Sequence, residues 1–185
     1  MGPMGVPEQG ASEASDTGEV ARLVAAFQAR PAPSVIAKLD LLLRLARLDD
    51  PRVTPFLLAV AADRGESNEV RASTLKWLSG GLQRGTHRGT VADVILGILP
   101  QGASPDLRLH AALALAEFTD VDGVLAALCR LVLDTAESIE LRYTALTSLE
   151  RGGPTPECTD CLRQLAGDEA FGESAKGLLV RWQKA

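Results

Sequence analysis

The chain has 185 residues and a formal net charge of −5, which argues against a strongly basic nucleic-acid binder or an anionic-membrane binder. Hydrophobic residues make up 46% and aromatic residues only 4%, so a core can form and Leu and Ala must supply most of it. No apolar stretch reaches the ~20 residues that a bilayer span needs. No secretory leader is recognisable, and we expect a cytoplasmic protein.

The first residues differ in composition from the rest. Residues 1–16 are rich in Gly, Pro, Ser and Glu, which predicts a flexible N-terminal tail. From Thr17 onward the pattern changes, and "EVARLVAAF" places Val20, Leu23 and Phe27 on one face of a helix. The sequence therefore predicts a single folded domain over residues 17–185.

Helix start signals then recur along the chain. Asp50-Pro51, Ser104-Pro105 and Thr155-Pro156 each combine an N-cap residue with proline at the first helical position. Thr90 and Asp93 resemble a capping box. We predict ten helices and no strand: 17–30, 34–48, 51–63, 68–83, 90–100, 104–118, 121–134, 138–150, 155–167 and 170–183. They pair into five helical hairpins: 17–48, 51–83, 90–118, 121–150 and 155–183.

Three of these helices begin alike. The stretches "NEVRASTLKWL", "PDLRLHAALAL" and "IELRYTALTSL" each carry an acid, an apolar residue and an arginine near the start. The arginines are Arg71, Arg108 and Arg142, 37 and 34 residues apart. A period of this length in an all-helical chain is typical of an α-solenoid, in which hairpins stack to bury a shared core.

The repeated stretches resemble the HEAT-like repeats of the short bacterial kind found in phycobilisome-lyase-type proteins. Those repeats carry an acid-x-x-Val-Arg-x-x-Ala-x-x-Ala-Leu signature at the start of the second helix of each pair. The resemblance covers about residues 17–183 and implies an all-α, right-handed solenoid of about five HEAT-like, armadillo-like hairpins. The first and fifth pairs depart from this signature, because the position equivalent to the repeated arginines is occupied by Ile36 in the first and lies near Glu173 in the fifth.

The repeated arginines have two interpretations. A guanidinium one turn into a helix can bind a carboxylate or a loop carbonyl of the neighbouring repeat, which makes it a structural contact between repeats. Alternatively, the arginines form a row of cations for an acidic partner. The structural interpretation is favoured for Arg71, Arg108 and Arg142.

We also predict a binding surface on the second helix of each pair. The HEAT-like resemblance implies that these helices line the concave face of the solenoid. Residues of these helices that do not point into the core form a mixed patch, which we predict to contact a protein partner. Its members are Ser73, Lys76, Trp77, His110, Glu117, Thr147 and Arg151. Trp77 is equally compatible with the core, and His110 with ordinary packing.

Two further motifs are ambiguous. "CTDC" places Cys158 and Cys161 at the start of a helix, where a thiol pKa falls. With three cysteines and no βαβ context, incidental packing is favoured over a redox or metal role, and the odd count is compatible with a reducing compartment. "SGGLQRGTHRGT", residues 79–90, is predicted to be an inter-repeat loop, with contact to an acidic partner as the alternative.

Signatures of catalysis are missing from the sequence. The two histidines, His87 and His110, are followed by Arg and Ala, and neither His-Glu-x-x-His nor Gly-x-Ser-x-Gly occurs. We therefore expect a non-catalytic scaffold or adaptor that binds a protein partner, with no cofactor, nucleic acid or membrane. The alternative, by resemblance to phycobilin lyases, is a lyase- or chaperone-like accessory that handles a cofactor or prosthetic group. A DNA-handling helical-repeat protein is a third hypothesis, which the acidic charge disfavours.

Overall fold

The structure is a computed structural model that describes residues 9–80, 87–100 and 102–184, with side chains described from residue 18 onward. Ten α-helices are present in these ranges, together with a 3₁₀ segment at Leu115–Phe118 that continues the sixth helix, and no strand occurs there. The all-helical expectation is confirmed. The helices are α1 (Gln9–Phe27), α2 (Val35–Leu45), α3 (Val53–Ala62), α4 (Asn68–Ser79), α5 (Arg88–Leu96), α6 (Pro105–Ala114), α7 (Val124–Leu133), α8 (Ile139–Arg151), α9 (Pro156–Leu165) and α10 (Gly172–Gln183).

Hydroxyl side chains start several of these helices. Ser104 accepts a hydrogen bond from the backbone nitrogen of Leu107, and Thr155 accepts one from that of Cys158. Each hydroxyl satisfies an amide that the first helical turn leaves without a carbonyl partner. The sequence predicted both of these caps, and proline follows each one at the start of the helix.

Two other start signals act differently. Asp50 accepts hydrogen bonds from the backbone and the guanidinium of Arg52, which lower the pKa of the Asp50 carboxyl to about 2. Helix α3 begins only at Val53, after this turn. Thr90 lies inside α5, which begins at Arg88, so it does not act as the cap expected from the sequence.

The N-terminal helix is longer than the sequence predicted. Helix α1 begins at Gln9, so residues 9–16 belong to the helix, where a flexible tail over residues 1–16 was expected. Residues 11–17 contain no Gly or Pro, and Ala, Glu and Ser at these positions can extend a helix at little cost. Residues 1–8 lie outside the described part of the chain.

The chain divides into two compact units, Met1–Thr74 and Leu75–Ala185. The division falls within α4. In the first unit, α1 packs on α2, and the rings of Phe27 and Phe56 meet edge to face with centroids 5.4 Å apart. The core of this unit includes Leu23, Leu42 and Leu57.

Helices of the second unit follow a regular contact pattern. Each hairpin partner packs on the other, as in α5 with α6, α7 with α8 and α9 with α10. Alternate helices also pack together, as in α5 with α7, α6 with α8 and α7 with α9. Phe118 and Leu128 are among the side chains buried between them. Buried apolar area between successive hairpins thus holds this unit together.

Candidate functional site

The repeated arginines make the same backbone contact. Each is the fourth residue of its helix, and its Nε donates to a carbonyl nine or ten residues earlier, at the end of the preceding helix or in the turn after it. The pairs are Arg71 to Ala61 at 2.9 Å, Arg108 to Leu99 at 2.6 Å and Arg142 to Val132 at 2.9 Å. The remaining nitrogens of each guanidinium are thereby left available for a second acceptor.

Two of these arginines also bind a carboxylate from the next hairpin. Nη1 of Arg108 donates to Oε2 of Glu137 at 2.7 Å, and this pairing raises the pKa of Arg108. Arg142 donates to Asp168 and holds the pKa of that carboxyl below its usual value. The Arg142 guanidinium also lies 4.9 Å from the ring centroid of Phe171. Both arginines therefore join consecutive hairpins of the second unit.

In the first and last hairpins, the residues at the position equivalent to the repeated arginines differ from those expected from the sequence. Lys38, the fourth residue of α2, forms an ion pair with Glu66, 28 residues later. Ile36, which the sequence placed at that position, is 80% exposed. In α10 the fourth residue is the buried Ala175, whereas Glu173 pairs with the exposed Lys176. In α2, the fourth position of the helix, rather than a fixed residue period, identifies the side chain that pairs with a carboxylate.

The α4 members of the predicted surface fall in different units. Ser73 belongs to the first unit and is half-buried. Lys76 and Trp77 belong to the second unit, where Lys76 is exposed and Trp77 is half-buried. Trp77 thus combines the two alternatives drawn from the sequence, since part of its ring is covered and part reaches solvent.

The remaining predicted residues lie on α6, α8 and the 3₁₀ segment. Nη2 of Arg151 lies 2.7 Å from Oε1 of Glu117, which joins the end of α8 to the 3₁₀ segment. Thr147 is half-buried and its hydroxyl donates to the carbonyl of Thr144 at 2.9 Å. Burial, followed by the nearby charge of Lys76, lowers the pKa of the half-buried His110.

Two exposed apolar side chains lie among these residues. Leu113 is 54% exposed and Tyr143 is 59% exposed. His110 and Leu113 of α6 and Glu117 of the 3₁₀ segment that continues it are spaced at three and four residues, and on α8, Tyr143, Thr147 and Arg151 are spaced at four. Such spacing places side chains on one side of a helix. We call these six residues the α6–α8 face: His110, Leu113, Glu117, Tyr143, Thr147 and Arg151.

Neither apolar residue was among the members of the surface patch that the sequence singled out. Tyr143 directly follows the buried Arg142, and successive side chains of a helix point about 100° apart. Its exposure therefore follows once Arg142 is known to face the neighbouring hairpin. The orientation of Arg142 on α8 was the information that the sequence did not provide.

A groove between α8 and α10 borders this face. It has a volume of about 410 Å³ and is lined partly by Tyr143, Thr147 and Gly177. The buried side chains of Leu146 and Leu178 contribute apolar surface to it. At the end of α8, Arg181 pairs with Glu150 at 2.8 Å and spans the two helices. The groove therefore offers an apolar contact surface. At one end, its charged groups are already paired with each other.

The cysteines pair differently from the sequence motif. Cys129 of α7 forms a disulfide with Cys161 of α9, across a sequence separation of 32 residues. Cys158 is free and fully buried, and burial raises the pKa of its thiol. Cys158 and Cys161 therefore do not act as a pair. Among the described residues, no group of three or more His, Cys, Asp or Glu side chains could hold a metal ion.

The glycine-rich break is only partly within the described residues, since residues 81–86 lie outside them. At its end, Arg88 donates to the carbonyl of Glu117 at 2.6 Å and forms an ion pair with Asp120. Its guanidinium also lies 5.0 Å from the ring centroid of Phe118. Arg88 is thus engaged within the second unit, and the pairing lowers the pKa of Asp120.

Comparison with known proteins adds no family to these observations. None of the helices in the described residues is long and apolar enough to cross a membrane. No protein-family model and no curated protein sequence matches this chain.

Proposed function

We propose that this chain is a non-catalytic scaffold or adaptor that binds a protein partner through a HEAT-like, right-handed α-solenoid. Two observations support the repeat architecture: the alternate-helix packing of the second unit, and the shared backbone contact of the repeated arginines. The absence of a cofactor is part of the proposal. A cytoplasmic setting stays a prediction from the sequence, and the Cys129–Cys161 disulfide, a bond typical of oxidising compartments, weighs against it.

The observation that carries the binding function is the α6–α8 face. It exposes an aliphatic and an aromatic side chain, Leu113 and Tyr143, on helices that an ion pair between Glu117 and Arg151 ties together. Aromatic residues and Arg frequently anchor protein interfaces. Because the side chains project from helices that are already packed, association would order little additional backbone.

Residues chosen from the sequence fit this face in part. His110, Glu117, Thr147 and Arg151 belong to it by definition, whereas Ser73 lies in the other unit. Lys76 belongs to the same unit as the face and lies close enough to His110 to lower its pKa. We propose that Lys76 and Trp77 extend the contact surface, with Trp77 contributing its exposed edge.

Removal of the two apolar side chains tests the proposal. The full chain, immobilised on a resin, is expected to retain one or more specific proteins from a lysate of its native cell. The double variant Leu113→Ser with Tyr143→Ser should lose them, because its apolar contact area is removed. Quantitative mass spectrometry of the retained proteins measures the change.

Ile139→Ser is the matched control. Ile139 lies on the same helix as Tyr143 and is exposed to a similar extent, 58% against 59%. It lines a different cleft, beside Arg142 and Asp168. Retention of the same proteins by the wild type, the control and the double variant would contradict a binding role for the α6–α8 face.

A further inference from the structure

The repeated arginines differ in one respect. Arg108 and Arg142 each bind a carboxylate located 29 and 26 residues later, and Lys38 binds one located 28 residues later. Positions 26 to 29 residues after Arg71 are Gly97, Ile98, Leu99 and Pro100. None of these four side chains carries a carboxylate.

Arg71 has a single hydrogen-bond acceptor among the described residues. Its Nε donates to the Ala61 carbonyl, and no ion pair to Arg71 is formed within that part of the chain. Asp63 lies near enough to raise the pKa of Arg71, but Arg64 lowers it and burial lowers it most. An Oδ1 atom of Asp63 instead accepts from the backbone nitrogen of Gly65 at 2.8 Å.

The free side of this guanidinium reaches solvent. Arg71 as a whole is 8% exposed. Among the described residues, no fully buried side-chain nitrogen or oxygen lacks a hydrogen-bond partner. The terminal nitrogens of Arg71, for which the structure shows no acceptor, therefore lie at the boundary with solvent. Burying a guanidinium without an anionic partner costs free energy, and pairing with an anion reduces that cost.

We propose that Arg71 is a binding site for a side-chain carboxylate of the protein partner. The inference rests on the proposed function, and it gives the partner a chemical property, an accessible acidic side chain. A carboxylate is favoured because the same planar fork, anchored by the same Nε contact, binds Glu137 and Asp168 in the following repeats. Two parallel N–H···O bonds match the geometry of that group.

Nuclear magnetic resonance of the arginine side chains in the full-length protein tests the site directly. The Nε–Hε signals of Arg71, Arg108 and Arg142 are followed while a short polyglutamate peptide is added. The Arg71 signal should shift saturably, and the Arg142 signal should not, because its carboxylate is already bound. A polyglutamine peptide of equal length and inorganic phosphate serve as the control probes.

Arg71→Gln should weaken the binding of polyglutamate about tenfold or more, since a charge-assisted pair is lost. Arg71→Lys keeps the positive charge but not the planar guanidinium. Its affinity for polyglutamate should lie between those of the wild type and Arg71→Gln. Arg108→Gln is the matched structural control. It should lower the melting temperature more than Arg71→Gln does, because it leaves the carboxylate of Glu137 without its arginine.

Several results would overturn the assignment. They are an unchanged Arg71 signal with polyglutamate, an equal shift with polyglutamine or phosphate, and a loss of stability in Arg71→Gln as large as in Arg108→Gln. The proposed function would survive if partners were still lost on changing Leu113 and Tyr143. If Arg71→Gln kept those partners at full affinity, only the carboxylate site would be rejected.

Discussion

Arg108 shows how much one side chain contributes to this fold. It joins the turn after α5 to Glu137 beyond α7, and its side chain is only 11% exposed, against 8% for its partner. Removing one partner of a pair at this depth is costly, because the other charge loses its main counter-ion in a buried setting. The contact thus resembles a core interaction more than a surface ion pair, which usually contributes little.

We expect Arg108→Gln to lower the free energy of unfolding by about 3 kcal/mol, because the buried carboxylate of Glu137 loses the guanidinium that pairs with it. Urea denaturation followed by circular dichroism measures the loss. The double variant Arg108→Gln with Glu137→Gln should lose less than the sum of the two single variants. Additive losses would show that the two groups do not stabilise each other.

Asp168 gives the contact between the last two hairpins a dependence on pH. Its folded-state pKa lies below the ordinary value of 3.8, chiefly because Arg142 donates to it. A lowered carboxyl pKa stabilises the folded state above pH 3.8, and the stabilisation disappears as the pH falls through the folded-state value. Asp168→Asn should therefore be less stable than the wild type at neutral pH.

The difference between wild type and Asp168→Asn should shrink on acidification below pH 3.8. Asn can still accept from the backbone nitrogens of Ala170 and Phe171, as Asp168 does at 2.9 and 3.0 Å. The substitution thus isolates the charge. Urea unfolding curves at several pH values measure the difference, and a constant difference between neutral and acidic pH would contradict the assignment.

At the scale of helices, two glycines illustrate opposite constraints. A Cβ at Gly152 would lie 2.9 Å from Cδ2 of Leu125, 3.1 Å from the carbonyl of Leu149 and 3.3 Å from Sγ of Cys158. A Cβ at Gly177, within α10, would meet no atom within 4 Å. The first glycine allows close packing after α8, whereas the second only weakens its helix.

Gly152→Ala should destabilise the protein by about 1–3 kcal/mol, because the added methyl group overpacks the end of α8. Gly177→Ala should stabilise it by about 1 kcal/mol through helix propensity. Thermal unfolding of the two variants beside the wild type measures both effects. A shift of the same sign in both variants would rule out this explanation.

Local sequence signals were sufficient to predict the helices. They were not sufficient to predict the register of each helix, that is, which of its residues face a neighbouring helix. Ser104 and Thr155 were identifiable as caps because an N-cap followed by proline acts within one turn. The contact made by Lys38, and not by Ile36, depends on where α2 begins, which apolar spacing leaves open by a few residues. Pairing of Cys129 with Cys161 was equally inaccessible, because it requires knowing that α7 and α9 are neighbours.

Within the α6–α8 face, the polar residues were predictable and Tyr143 was not. Glu117 and Arg151 follow from their positions relative to the repeated arginines. Tyr143 looks like a core residue in a sequence, since an apolar side chain gives no sign of the side on which it lies. Its exposure became visible only with the packing of α8 against the neighbouring helices.

At the scale of the whole molecule, the disulfide is a covalent constraint on the second unit. It joins alternate helices α7 and α9 and encloses α8 within a closed loop. Cys129 is half-buried and Cys161 is buried. Closing a loop of this length restricts the unfolded chain and so raises stability.

Reduction of the disulfide should lower the free energy of unfolding by about 3–4 kcal/mol, as expected for a loop closed across 32 residues. Urea titrations with and without a reducing agent measure the effect. Cys129→Ser, which cannot form the bond, should give the same curve under both conditions. Identical curves for the wild type in the presence and absence of reductant would argue against the cross-link.

The closed loop also has a topological consequence. The turn Gly152–Gly153–Pro154 lies between the two bonded cysteines, and Gly153 there has a φ of +73°. A protease that cut the backbone at this turn would not separate the two pieces, since sulfur would still connect the residues before the cut to those after it. The cleaved protein would migrate as one species under oxidising conditions and as two after reduction, so α8 and α9 could be severed in sequence while remaining one molecule.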